Sequence, residues 1–200
     1  MNSLRSISGA ALLALVIGCG DGGRAAAADA HTGAAIQPLA IGDAPPPYVA
    51  ALLADSLGIA RPDSVRVAAG GPVTLLNVWA TWCESCQEEM ADLDSLHREF
   101  GGRGLRVIGV SVDKGDGTRV RRYAEAQHLA FSIAHDPDAR IEDSYQTVGV
   151  PETYLVGKDG RLRWRHAGNL HPVLGDVRSA ITRELASASD DRTAPPTSHD

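Results

Sequence analysis

Cysteine is scarce in this chain, and so are aromatic residues. Only Cys19, Cys83 and Cys86 occur in 200 residues, which excludes a small scaffold held together by several disulfides. Aromatic residues make up 4% of the sequence and charged residues 22%, against 44% hydrophobic. That balance predicts a packed globule and excludes general disorder. No basic patch is present: the formal net charge is −6, and like charges run for two or three residues at most. The Arg121–Arg122 pair and the stretch Arg161 to Arg165 read as solvated surface, so no nucleic-acid partner is expected. The apolar stretch Ile7–Ile17, broken by Ser8 and Gly9, is too short to span a bilayer as a stable helix.

That stretch has another use. Arg5 precedes it, and it ends in Val16-Ile17-Gly18-Cys19, the layout of a secretory signal. The small Gly18 before a cysteine resembles a bacterial lipoprotein signal, in which Cys19 is lipidated and becomes the mature N-terminus. Several acyl chains give a stable anchor where one binds only marginally. Ordinary cleavage in the alanine-rich stretch Arg24 to Ala30 is the alternative and would release the protein. Either route places the remainder on the extracytoplasmic side. Residues 20–38, rich in Gly and Ala, are expected to be a flexible tether. A single domain is expected over 39–187, and the Ser-, Pro- and Thr-containing residues 188–200 are expected to be a disordered tail.

Within the domain the patterns alternate. A short helix is expected from Tyr48 to Leu57, ending at Gly58. Val73–Trp79 is a continuous apolar run suited to a buried strand. Cys86, Met90, Leu93, His97 and Phe100 recur at helical spacing over Glu84–Phe100, with Leu96 beside them and Gly101-Gly102 closing the helix. Strand Leu105–Val112, helix Thr118–His128, short strand Ala130–Ala134 and strand Glu152–Val156 follow. Gly157-Lys158-Asp159-Gly160 reads as a hairpin turn answered by Arg161–Trp164, and Val173–Ala186 is a last amphipathic helix. The expected fold class is therefore α/β, a mixed central sheet flanked by helices.

Cys83-Glu84-Ser85-Cys86 falls where the Val73–Trp79 strand gives way to the Glu84–Phe100 helix. Free N–H groups and the positive end of the dipole favour a thiolate there, and the thiol pKa drops below its free value of about 8.5. Two intervening residues place the second sulfur within reach of the first. Cys83 is the exposed nucleophile in this arrangement, and Cys86, one turn inside, resolves the mixed disulfide. Glu84 lies in the first helical turn, where an acid suits the dipole but opposes a second negative charge. Structural zinc would need another ligand pair, and His97, His128 and His135 are scattered. A Cu(I) site on both sulfurs and a merely structural disulfide remain open.

The segment Asn77 to Cys86, NVWATWCESC, resembles the active-site segment of the membrane-tethered thioredoxin-like reductases, the TlpA/ResA/CcmG group. Val148 to Val156, VGVPETYLV, leading to Gly160 to Gly168, GRLRWRHAG, is especially similar to CcmG, also called DsbE, which serves cytochrome c maturation. The resemblance covers roughly Ile41 to Ala186 and implies a thioredoxin-like fold. It implies that Pro151 is the cis-proline facing the cysteine pair, with the Val150 backbone turned toward the sulfurs to pair with an extended client. A plain trans-proline opening an edge strand is the alternative. It further implies that Trp82 belongs to the substrate surface, while Trp79 is core. Glu89, three positions after Cys86, and Glu152, after the proline, match acidic residues of the family that could tune a thiol or relay a proton. Each could equally be a solvated carboxylate.

There are departures. Asn77 stands where thioredoxin has a buried aspartate, which points to the tethered branch. Ser85 replaces a common proline, and Ala91 replaces a proline that often kinks the helix. The resulting expectation is an extracytoplasmic disulfide reductase acting through Cys83 and Cys86, without cofactor or resident metal. Its partners would be oxidised protein clients, apocytochrome c among them, and a membrane thiol donor of the CcdA/DsbD type. A Cu(I) carrier is the alternative from another class. A peroxidase of the related peroxiredoxins ranks last, since that family's Pro and Thr upstream of a single Cys are not visible.

Overall fold

The computed structural model describes residues 38–54 and 64–190. Cys19, the leader, nearly all of the expected tether and residues 191–200 lie outside the described residues.

The elements are β1 (Tyr48–Ala54), β2 (Ser64–Val67), β3 (Val73–Trp79), α1 (Glu84–Phe100), β4 (Leu105–Ser111), α2 (Thr118–Ala126), β5 (Ser132–His135), α3 (Arg140–Tyr145), β6 (Glu152–Val156), β7 (Leu162–Ala167) and α4 (Leu174–Asp190). Seven strands form one sheet in the order β2-β1-β5-β4-β3-β6-β7. β3 runs parallel to β4 and antiparallel to β6, so the sheet is mixed. A parallel neighbour requires a crossover, and α1 supplies it between β3 and β4.

Every residue of β3 is buried, as a central strand covered on both faces requires. α1 buries Cys86, Glu89, Met90, Leu93, Leu96 and Phe100. Leu96 takes the core position and His97 is only half-buried. Trp79 is wholly buried. It lies over Gly109 of β4, where a Cβ would stand 3.0 Å from the indole nitrogen and 3.1 Å from Phe131. Glycine is therefore what lets the indole settle on the sheet. The hairpin turn 157–160 forms as expected, with Gly157 N–H donating to Arg161 O at 2.9 Å.

Over its described residues the expected helix from Tyr48 is instead strand β1; its expected end at Leu57 and Gly58 lies outside the described residues. Tyr48 and Ala50 are buried while Val49 and Ala51 face out, a period of two rather than 3.6. β1 pairs antiparallel with both β2 and β5, and the Tyr48 hydroxyl donates to buried Asp136 at 2.8 Å. This tertiary pairing overrides the helical preference of an Ala- and Leu-rich stretch. Two elements, β2 and α3, were not expected at all. The last helix runs to Asp190, into the residues expected to form a tail.

Candidate active site

The C-terminal end of β3 delivers the chain through a short turn to Cys83, which caps α1. Cys83 is extended (φ −93°, ψ 109°), and its sulfur accepts the Cys86 N–H at 3.2 Å. It is bonded to Cys86, with an S–S distance of 2.08 Å and Cα atoms 5.2 Å apart. Cys86 is fully buried and Cys83 is 7% exposed. Cys83 is the outer of the two, but in the disulfide it is buried and not the exposed residue that the spacing predicts. The Ser85 hydroxyl lies 3.5 Å from the Cys83 sulfur. Trp82 projects outward, 63% exposed.

The turn before Cys83 is held from several sides. Cys83 N–H donates to Ala80 O at 3.2 Å, and Gln87 Nε2 donates to Thr81 O at 2.8 Å. The buried carboxylate of Asp113 accepts both the N–H and the hydroxyl of Thr81. Opposite, the Val150–Pro151 bond is cis. β6 begins one residue later, with Glu152 in register with Val78 of β3, so the proline and the cysteine turn share one end of the sheet. Pro151 is buried, Val150 half-buried and Val148 exposed.

Neither Glu89 nor Glu152 is solvated. Glu89 is fully buried, with one oxygen accepting from Asn77 Nδ2 at 2.6 Å and the other from Leu170 N–H at 2.7 Å. Burial pushes its carboxyl up to about 7, against the lowering effect of those two hydrogen bonds. Asn77 Nδ2 also donates to Thr153 Oγ1 at 3.0 Å, leaving Asn77 Oδ1 without a partner. Glu152 is fully buried in an ion pair with Arg165 and accepts the Val148 N–H at 2.9 Å. The stretch Arg161 to Arg165 is therefore not plain solvated surface. Arg165 satisfies Glu152, and Arg163 pairs with Glu184 at 2.9 Å and Asp159 at 2.7 Å. Glu84 is exposed and lies in the first turn of α1.

Three contributors are absent from the sequence-based set. Asp113 grips Thr81. Asn169 Nδ2 donates to Ser85 O at 3.3 Å and to Glu88 at 2.9 Å. Leu170 supplies a backbone donor to Glu89. The only signal for the last two was their place just after the GRLRWRHAG segment. Asp113, directly after a buried strand, carried no motif. Among the described residues, no group of three or more His, Cys, Asp or Glu is arranged to hold a metal ion. Among the same residues, no helix is long and apolar enough to cross a membrane.

Known proteins are similar to this chain in sequence and in fold. The thiol-disulfide oxidoreductase ResA of Oceanobacillus iheyensis is 32% identical over 92 residues, 46% of this chain and 47% of that protein. The thiol:disulfide interchange protein DsbE of Escherichia coli is 36% identical over 104 residues, 52% of this chain and 53% of that protein. The chain thus spans about half the length of the curated relatives it matches. The thioredoxin domain of a thiol-disulfide oxidoreductase from Bacteroides vulgatus superposes with a TM-score of 0.60 at 21% identity, covering 72% of this chain and 99% of that one. The fold is thioredoxin-like. A family model matches residues 63–165, from just before β2 to within β7, and the chain belongs to the AhpC/TSA family.

Proposed function

We propose that the protein is an extracytoplasmic thiol–disulfide oxidoreductase that reduces disulfides of exported proteins through Cys83 and Cys86. The observation that carries this reading is the Cys83–Cys86 disulfide at the N-terminus of α1, with the Cys83 sulfur on the Cys86 N–H at 3.2 Å. That donor and the helix terminus stabilise a thiolate at Cys83 once the pair is reduced.

The cycle starts from the dithiol. The Cys83 thiolate attacks one sulfur of a client disulfide. The client S–S bond breaks, and the displaced client sulfur leaves as a thiolate that takes a proton. Cys86 loses its proton and attacks the Cys83 sulfur, releasing the second client sulfur. The client gains two electrons and two protons, and the cysteine pair becomes the disulfide seen here. Glu89, one turn beyond Cys86 on the buried face of α1, titrates near neutrality. It is the group we assign to take the Cys86 proton. Exposed Trp82 and Val148, with Val150 and Pro151, are the client surface. Glu152 shapes that surface by holding the Val148 N–H. Glu84 and Ser85 border the outer sulfur, and Asn77 seats Glu89.

The likeness to DsbE and ResA supports apocytochrome c, with its paired cysteines, as client. It also supports a membrane thiol donor of the CcdA/DsbD type for recharging, while the Val16-Ile17-Gly18-Cys19 stretch supports lipid on Cys19 as the anchor. A synthetic peptide carrying an oxidised Cys-x-x-Cys-His segment tests the client reading. Reduced protein should reduce it, Cys86→Ser should trap it as a mixed disulfide on Cys83, and Cys83→Ser should do neither. A peptide left oxidised by the dithiol protein would rule this client out.

A further inference from the structure

Asp113 stands just past β4 with no role in the chemistry above, yet it is nearly sealed from solvent, at 4% exposed. A carboxylate taken out of water needs strong donors in return. Of its three side-chain partners, two belong to one residue: Thr81 N–H donates to Oδ2 at 2.8 Å, and the Thr81 hydroxyl donates to Oδ1. The third, the Ser111 hydroxyl, donates to Oδ2 at 2.7 Å, and Asp113 N–H returns a bond to Ser111 Oγ at 3.1 Å. His135 Nε2 lies 2.8 Å from the Asp113 carbonyl oxygen. Asp113 is thus fixed through its carboxylate by Ser111 of β4 and through its backbone carbonyl by His135 of β5, and the carboxylate reaches across to grip the turn after β3. Both donors of a residue two positions before Cys83 end on it.

That turn decides where the outer sulfur sits. The Ala80 carbonyl holds Cys83 N–H, and the Thr81 carbonyl is taken by Gln87 from the first turn of α1. The Cys83 sulfur benefits from the helix terminus only while it stays on the Cys86 N–H, because the effect falls off within the first turn. We propose that Asp113 is a positioning residue of the redox centre: by clamping Thr81 it keeps the Cys83 sulfur on the α1 N-terminus and so keeps that thiol acidic. This rests on Cys83 being the attacking thiol.

The variants separate geometry from charge. In Asp113→Asn, the side-chain oxygen can accept the Thr81 N–H and the Ser111 hydroxyl while its NH2 donates to the Thr81 hydroxyl, so the clamp survives without the charge. Asp113→Ala removes it. The measurement is the rate of Cys83 alkylation by iodoacetamide against pH in the reduced full chain, with the site assigned by peptide mass. At pH 6, Asp113→Ala should react about fivefold more slowly than wild type, the factor that loss of a typical helix-terminus interaction produces. Asp113→Asn should match wild type. An unshifted Asp113→Ala profile would overturn the role, and so would an Asp113→Asn profile as slow as that of the alanine variant. If Asp113→Ala does not fold, Thr81→Val decides, since it loses the hydroxyl arm alone. A slower profile supports the clamp and an unchanged one overturns it. Wild-type protein that never forms a Cys83–Cys86 disulfide would instead defeat the oxidoreductase reading, a separable outcome.

Discussion

The carboxyl of Glu89 and the amide of Asn77 meet in the sealed space between α1 and β3, with Asn77 Nδ2 donating to Glu89 Oε1 at 2.6 Å. Neither side chain reaches solvent. This pairing fixes, on the buried face of α1 one turn from Cys86, an acid that burial pushes up to about 7, and it has consequences for both rate and stability.

The kinetic consequence concerns the second step of the cycle. In the proposed cycle ionised Glu89 takes the Cys86 proton, so Cys86-dependent release of client should speed up as pH rises through about 7. Glu89→Gln should be slower by about 100-fold at pH 7.5, the lower end for a positioned acid–base group, and should lose that inflection. Single-turnover release from a preformed mixed disulfide reads this step alone. A Glu89→Gln rate equal to wild type would remove Glu89 from the mechanism.

The stability consequence has a definite sign. Folding raises the Glu89 carboxyl from 4.5 to about 7, so between those values the native state holds a proton that the unfolded chain has lost. Stability therefore falls as pH rises from about 4.5 to 7, by at most about 3 kcal/mol from this group, and is flat beyond. Urea unfolding at pH 5, 6, 7 and 8 should show this slope in wild type and not in Glu89→Gln. Parallel curves for the two proteins would contradict it.

Arg165 and Glu152 predict a different kind of loss. Glu152 is fully buried and Arg165 is its ion-pair partner. Arg165→Ala leaves a carboxylate buried without its cation and should cost about 3 kcal/mol or more. Arg165→Met combined with Glu152→Gln should recover most of that. Denaturant midpoints of the three proteins provide the check, and equal loss in the single and double variants would refute the pairing as the cause.

Gly109 is predicted to tolerate no side chain. Its Cβ would lie 3.0 Å from the Trp79 indole nitrogen and 3.1 Å from Phe131, both in the core. Gly109→Ala should destabilise by about 1–3 kcal/mol through overpacking. A melting temperature unchanged from wild type would mean that the indole can move aside.

Trp82 should matter to clients and not to folding. At 63% exposed it adds little to the core, so Trp82→Ala should change stability by less than about 0.5 kcal/mol. It should nevertheless slow capture of the oxidised peptide. Melting curves and trapping by Cys86→Ser with and without Trp82→Ala separate the two effects.

The elements legible in the sequence were those whose own pattern was long or unambiguous. Val73–Trp79, Glu84–Phe100 and Glu152–Val156 have the bounds that their apolar runs and periodicity predict. β1 was misread because its state is decided by β5, some eighty residues away, and not by the helix-forming Ala and Leu within it. β2 and α3, at four and six residues, are too short for a period to show. The same divide runs through the site. The cysteines and the proline announce themselves by spacing and motif, and the Val150–Pro151 bond is cis. Whether Glu89 and Glu152 were buried or solvated could not be read, since Asn77, Leu170 and Arg165 reach them from other elements. Asp113 was invisible for the same reason: its meaning lies in Thr81, on a different strand's turn.

The most direct test of the central claim is the equilibrium reduction potential of the purified protein, poised in thiol–disulfide buffers and read by alkylation and mass. A reductase acting through Cys83 and Cys86 should show one two-electron transition below about −200 mV, in the range of thioredoxin and glutaredoxins. A transition near about −120 mV, the range of strong oxidants, would contradict the account by making the protein a disulfide donor.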